Sequence, residues 1–237
     1  METYRAFLER ISYQNQELAI GEGVFYPDQK LPEKVSYENR FKPFYGDTVI
    51  FDLDDKTKER VSALIDILYQ SNSVCLSERL KTGTLHMTLH DLSASGSLAE
   101  VAPEVFQNEI KLLRVLKENP QKRRVIKMKT NFIINMVSMS LVLALVPANE
   151  AEWNKLQELY GLVDKVRMCG YPYLTPHITL AYFNYHGFEE SAADKLRAAV
   201  YELNRCHFSL TLDTDRLFYT KFVSMNEYIP VFRLTDK

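Results

Sequence analysis

The sequence contains the same short motif twice, a histidine and a threonine separated by one residue. His86 and Thr88 form the first copy, and His177 and Thr179 form the second. An imidazole titrates near neutral pH, so it can accept or donate a proton there. Breaking a phosphodiester needs a base for the attacking oxygen and an acid for the leaving oxygen, each contributing about 10²–10⁴ in rate. Threonine hydroxyls can hold the phosphate oxygens. The two copies together predict phosphoester chemistry that needs no metal ion and no cofactor.

The surroundings of the two motifs follow the same order of predicted elements. A strand, a helix, a loop and a second strand that contains the motif occur in both halves of the chain. In the first half the strand, the helix and the motif strand are predicted at 48–53, 55–69 and 84–89, and in the second half at 140–146, 149–165 and 177–182. Residues i and i+2 of a strand point to the same side, so each histidine shares a face with its threonine. The two histidines are 91 residues apart, and so are the two threonines.

This repeat predicts an α+β fold that is duplicated and bilobal. We expect two antiparallel sheets that line a central cleft, with the helices outside. Further helices near 101–118 and 188–205 extend the correspondence between the halves. Residues 1–46 are interrupted by three prolines and are predicted to be an N-terminal extension packed on the body, with a helix within 3–19. Residues 47–237 are then the bilobal domain.

The motifs also carry a family resemblance. The segments Leu85-His86-Met87-Thr88-Leu89 and Pro176-His177-Ile178-Thr179-Leu180 resemble the paired motifs of the 2H phosphoesterase superfamily, which includes the LigT-like RNA 2′,3′-cyclic phosphodiesterases. The likeness covers roughly residues 46–235, and Phe44-Tyr45-Gly46-Asp47-Thr48-Val49 is similar to a poorly characterised branch with an extra N-terminal segment. The resemblance implies a LigT-like fold and hydrolysis of a cyclic or 2′-linked nucleotide or of an RNA-end phosphodiester. It matches His86, Thr88, His177 and Thr179 to the catalytic positions.

The residues themselves leave open which histidine is the base and which is the acid. Analogy with the family favours His177 as the base and His86 as the acid in hydrolysis. Two other functions also fit the sequence. The first is a catalytically idle nucleotide- or RNA-binding module of the same fold. The second is a metal-dependent hydrolase that uses His86, His90 and a carboxylate.

Four residues near the motifs are candidates for substrate binding. Tyr173 precedes the second motif and could stack on a base, while Arg79 and Lys81 precede the first motif and could counter phosphate charge. His90 follows His86 by four residues, which on a helix would suit zinc. On a strand the two histidines stand about 13 Å apart. We therefore expect His90 at the rim of the cleft or at the strand end, and no metal site.

Composition limits the partners. The 237 residues carry a formal net charge of -2, without the basic excess of a duplex DNA binder. A small nucleotide or an RNA-end phosphate needs only local positive charge. The longest apolar stretch, 132–146, contains three polar residues and is shorter than the roughly 20 residues that cross a bilayer. Three cysteines without a paired spacing and no secretion signal predict a cytoplasmic protein without a membrane partner, which we assume to be a monomer.

Overall fold

The structure is a computed structural model that describes residues 2–16, 19–168, 170 and 173–235. Within these ranges the chain forms helices and strands, which we number in chain order. The helices are α1 (Tyr4–Gln16), α2 (Leu31–Lys34), α3 (Asp55–Asn72), α4 (Leu98–Glu118), α5 (Glu150–Asp164) and α6 (Glu190–Leu203). The strands are β1 (Tyr45–Asp52), β2 (His86–Ser95), β3 (Val125–Met136), β4 (Ser140–Pro147), β5 (His177–Tyr182), β6 (Ser209–Asp213), β7 (Leu217–Ser224) and β8 (Glu227–Arg233).

The strands form one antiparallel sheet in the order β6-β3-β4-β5-β2-β1-β7-β8. The two motif strands, β2 and β5, are therefore neighbours at its centre, with three further strands on either side. They are joined by one registered pair, Met87 opposite Ile178, whereas β1 and β2 align over most of β1. The structure thus has one continuous sheet where two were expected. Sequence patterns show which residues form strands, but they do not show that the two motif strands pair edge to edge.

Both motif strands carry an extra residue directly after the motif. The register of β2 against β1 shifts at Leu89, and the register of β5 against β4 shifts at Leu180. These two residues are again 91 positions apart. A bulge of this kind interrupts the alternation of side chains along the strand. In β2 it turns His90 into the protein and brings Asp91 to the same side as the motif.

Helices α3 and α5 connect a strand to the motif strand in each half, as the sequence predicts. The side chain of Asp54 caps α3 by accepting a hydrogen bond from the Thr57 backbone at 3.0 Å. The side chain of Asn149 caps α5 in the same way, with the Glu152 backbone at 3.1 Å. The apolar residues at helical spacing are buried in both helices: Val61, Leu64, Ile65 and Leu68 in α3, and Trp153, Leu156, Leu159 and Val163 in α5. No helix in the described ranges is long and apolar enough to cross a membrane.

The N-terminal residues pack into the same hydrophobic core as the sheet. The ring of Phe7 in α1 stacks on Trp153 at a centroid distance of 4.2 Å. The ring of Phe25 stacks on Phe188 at 4.6 Å, and their backbones also form a bridge. Strand β1 already begins at Tyr45, inside the predicted extension. The boundary between extension and body at residue 46 stays a prediction.

Candidate active site

A cavity of about 560 Å³ lies where the two motif strands meet. Both histidines and both threonines of the motifs line it. The N-terminal residues contribute part of its wall, through Arg10, Gln14, Lys34 and Phe44. Its size is that of pockets that take small organic ligands.

The central strand pair explains why the four motif side chains converge. Met87 and Ile178 oppose each other across β2 and β5, and both are fully buried on the core side. The four motif residues flank this pair, so they project to the other face, where all four are half-buried. The antiparallel alignment places each histidine beside the threonine of the other motif. The two histidines then stand diagonally, about 7–8 Å apart between their backbones, which leaves room for one phosphate group.

The two imidazoles are held by equivalent hydrogen bonds. Nδ1 of His86 donates to the backbone oxygen of Thr84 at 2.6 Å, and Nδ1 of His177 donates to that of Thr175 at 2.7 Å. Because a carbonyl oxygen only accepts, Nδ1 carries the proton of the neutral ring. Nε2 of each histidine is therefore the nitrogen with the free lone pair, in position to exchange a proton with a molecule in the cavity.

Burial lowers the pKa of both histidines below its usual value. For His86, the positive charge that His177 can carry lowers the pKa further. The carboxylate of Asp91 acts in the opposite direction and raises the pKa of both rings, without reversing the net shift. Both imidazoles are therefore neutral at pH 7 in the free protein. A phosphate anion between them would favour protonation of one.

The motif threonines differ from other threonines of the sheet. Among the described residues, the hydroxyl groups of Thr88 and Thr179 have no hydrogen-bond partner. By contrast, the hydroxyl of Thr48 donates to the backbone oxygen of His90 at 3.1 Å. A hydroxyl that borders a cavity without a partner can donate to an oxygen of a bound ligand.

Tyr228 and Asp91 belong to the residues of the cavity wall that sequence reasoning did not find. The ring of Tyr228, on β8, lies 4.5 Å from the His86 ring between centroids. Burial raises the pKa of this tyrosine far above its usual value, so its hydroxyl stays protonated. No local motif marks Tyr228, because β8 reaches the site only through the sheet order. Asp91 lies on the motif strand itself, but only the bulge at Leu89 shows that it faces the cavity.

Of the residues Tyr173, Arg79 and Lys81, which were predicted to bind substrate, only Tyr173 lines the cavity. Tyr173 lines the cavity and is 51% exposed, so it lies at the rim. Arg79 forms an ion pair with Asp66 of α3, and Lys81 is an exposed loop residue. Neither of these two cations lines the cavity, because the loop that carries them packs over α3. Their expected role in countering the charge of a ligand stays a prediction.

His90 lies in the buried wall of the cavity and not at its rim. It is 1% exposed, its Nε2 is 2.9 Å from Asp164 and its Nδ1 is 2.7 Å from the backbone oxygen of Asp91. The bulge at Leu89 is the reason, since it turns His90 away from the side that carries His86. The two histidines therefore do not share a ligand position. In the described part of the chain, no group of three or more histidine, cysteine or acidic side chains could hold a metal ion.

No family model matches the sequence, and no curated protein matches it. Similar folds are found among solved structures. A conserved protein of unknown function from Agrobacterium tumefaciens has a TM-score of 0.63 at 15% identity, over 88% of this chain and 94% of the other. E. coli LigT in complex with ATP has a TM-score of 0.45 at 15% identity, over 82% of this chain and 100% of the other. A structure described as a phosphoesterase has a TM-score of 0.44 at 14% identity, over 82% and 99%. The chain shares its fold with the Agrobacterium protein.

Proposed function

We propose that this chain is a metal-independent phosphodiesterase of the 2H type, which hydrolyses a cyclic or 2′-linked phosphodiester of a small nucleotide or an RNA end. One observation carries the proposal. Two imidazoles with unprotonated Nε2 atoms and two unpartnered hydroxyls border one cavity of nucleotide size, within the described part of the chain. A structural role gives no reason to leave four polar groups directed into one cavity.

The reaction follows from this arrangement. The phosphate would lie between the histidines, with its non-bridging oxygens accepting hydrogen bonds from Thr88 and Thr179. Nε2 of one histidine takes a proton from the attacking water, while the other histidine, protonated in the complex, gives its proton to the leaving ribose oxygen. By analogy with the family, we assign His177 as the base and His86 as the acid. The hydrogen bonds at Nδ1 hold both rings in the required tautomer throughout.

The test is a substrate panel. The purified protein is incubated with 2′,3′-cyclic mononucleotides and with 2′,5′-linked dinucleotides, and the products are separated by chromatography. We expect turnover that EDTA does not affect. His86→Ala and His177→Ala should each lose about 10²-fold or more of kcat/KM. His207→Ala is the matched control, because His207 is exposed and lies outside the cavity wall.

Each alternative has its own outcome in this panel. Binding without turnover of every substrate would favour the idle nucleotide-binding module. Activity that is lost in EDTA and restored by zinc would favour the metal-dependent hydrolase. Full activity in both histidine variants would overturn the assignment of these residues.

A further inference from the structure

A lysine from the N-terminal residues faces the same cavity. Lys34, the last residue of α2, lines the cavity and is half-buried. Its Nζ lies 5.2 Å from the ring centroid of Phe44 and 5.7 Å from that of Tyr182. The backbone around it is fixed, because Leu31 is fully buried and the Lys42 amide donates to the Lys34 oxygen at 2.9 Å. The side chain thus starts from an anchored position.

Lys34 has no ion-pair partner in the described wall of the cavity. Arg10, the other lysine or arginine of the described cavity wall, is already neutralised, since it binds both carboxylate oxygens of Glu2 at 2.9 and 2.8 Å. Over the ranges that the structure describes, Lys34 has no carboxylate within ion-pair distance, and aromatic faces are its close neighbours. An ammonium group held over ring faces is stabilised only modestly. A bound anion would supply the partner that the protein does not.

Lys34 is separated from the histidines by an aromatic wall. The ring of His86 contacts Tyr228, whose ring centroid is 5.6 Å from that of Phe222. The centroid of Phe222 is 6.1 Å from that of Phe44, and Lys34 lies over the ring of Phe44. The other ring beneath its ammonium group, Tyr182, is five residues along β5 from His177, or about 16 Å of extended strand. Lys34 therefore lies beside the end of β5 that is away from His177, beyond the rings of Tyr228 and Phe222 that follow His86.

We propose that Lys34 forms a second anion-binding site, which takes a phosphate of the same substrate remote from the scissile one. The aromatic wall between the two sites would contact the nucleoside that links the two phosphates. The substrate is then a nucleotide with at least two phosphates, such as a 5′-phosphorylated cyclic nucleotide or a short RNA end. The position of the scissile phosphate between the histidines rests on the proposed function.

The test measures binding of nucleotide 2′-phosphates, which needs no turnover. Isothermal titration calorimetry compares adenosine 2′-phosphate, with one phosphate, with adenosine 2′,5′-bisphosphate and with the dinucleotide ApA carrying a terminal 2′-phosphate. We expect the wild type to bind at least one of the latter two about 10- to 100-fold more tightly, the size of one charge-assisted hydrogen bond. Lys34→Met should reduce this ratio to near one, and Lys34→Arg should keep most of it.

Lys30→Met is the matched control, because Lys30 is an exposed lysine of the same segment that does not line the cavity. It should keep the wild-type ratio. Retained binding of adenosine 2′-phosphate shows that Lys34→Met is folded at the catalytic end. The inference is overturned if the wild type binds neither two-phosphate probe more tightly, or if Lys34→Met keeps the preference. A Lys34-dependent preference without turnover of any substrate would instead refute the hydrolase and leave the anion site standing.

Discussion

Replacing the motif threonines by valine separates their role in catalysis from any role in folding. Valine has nearly the shape of threonine and is equally suited to a strand, so Thr88→Val and Thr179→Val remove little more than a hydroxyl group. Neither hydroxyl has a hydrogen-bond partner among the residues that the structure describes. The substitution therefore leaves no described donor or acceptor unpaired. We expect the free energy of unfolding to change by less than about 0.5 kcal/mol.

The effect on catalysis should be much larger. A hydrogen bond to a charged group contributes about 1.5–3 kcal/mol. If each hydroxyl donates to one phosphate oxygen, each variant should lose about 10- to 150-fold of kcat/KM. The double variant should lose more than either single variant but less than the product of the two factors, because both hydroxyls donate to the same phosphate.

Thr130→Val is the matched control for both effects. The Thr130 hydroxyl is in β3, outside the cavity wall, and exchanges hydrogen bonds with the Phe208 backbone at 2.9 and 3.2 Å. Its removal leaves the half-buried amide of Phe208 unpaired, so this variant should lose about 1–3 kcal/mol of stability and keep its kcat/KM. Steady-state kinetics and urea unfolding measure the two quantities. Motif variants with full activity, or with a stability loss as large as that of Thr130→Val, would refute the reasoning.

Three further predictions concern the histidines and their neighbours. The carboxylate of Asp91 raises the pKa of His86 and His177, so Asp91→Asn should move both limbs of a bell-shaped pH profile of kcat/KM to lower pH; an unchanged profile would contradict this. The folded-state pKa of both histidines lies below the unfolded value near 6.5, so the unfolded chain binds more protons and stability should fall as the pH drops below about 7. Urea unfolding at low pH should show a smaller loss of stability when both histidines are replaced by glutamine. Arg10 donates a hydrogen bond at 2.8 Å to the Thr175 hydroxyl, and the Thr175 carbonyl accepts the hydrogen bond that holds the His177 ring. Arg10→Met should therefore lower kcat by up to about 10²-fold, a larger effect than its increase of KM.

The elements around the motifs could be predicted because their signals are local. Apolar residues at helical spacing define α3 and α5, and the alternation after each histidine defines the start of β2 and β5. The predicted strand 84–89 nevertheless starts two residues early and ends six residues before β2 does, at Ser95. The two bulges of β2 interrupt the alternation, so the pattern could not be followed past Leu89.

The rest of the site depends on contacts between distant parts of the chain. Lys34 and Tyr228 lie 52 positions before and 142 positions after His86, and nothing in their own sequence context marks them. Arg79 shows the converse: its closeness to the motif in sequence suggested a role, but its charge is paired with Asp66 on the outside of α3. Proximity in sequence is a poor guide to the wall of a site that is built from several strands.

The two motifs of the site are related by a repeat, but the residues around them are not. Offsets of 91 residues relate the motif histidines, their threonines, the carbonyls that hold their rings and the bulges that follow. The same offset relates Asp91 to Tyr182, so a carboxylate in one half corresponds to a phenol in the other. Tyr228 contacts His86, and Lys34 lies over Tyr182, which breaks the symmetry further. Because the two imidazoles have the same local hydrogen bonds, their environments differ through these neighbouring residues. The division into base and acid must therefore come from these unequal walls and from the direction in which they orient the substrate.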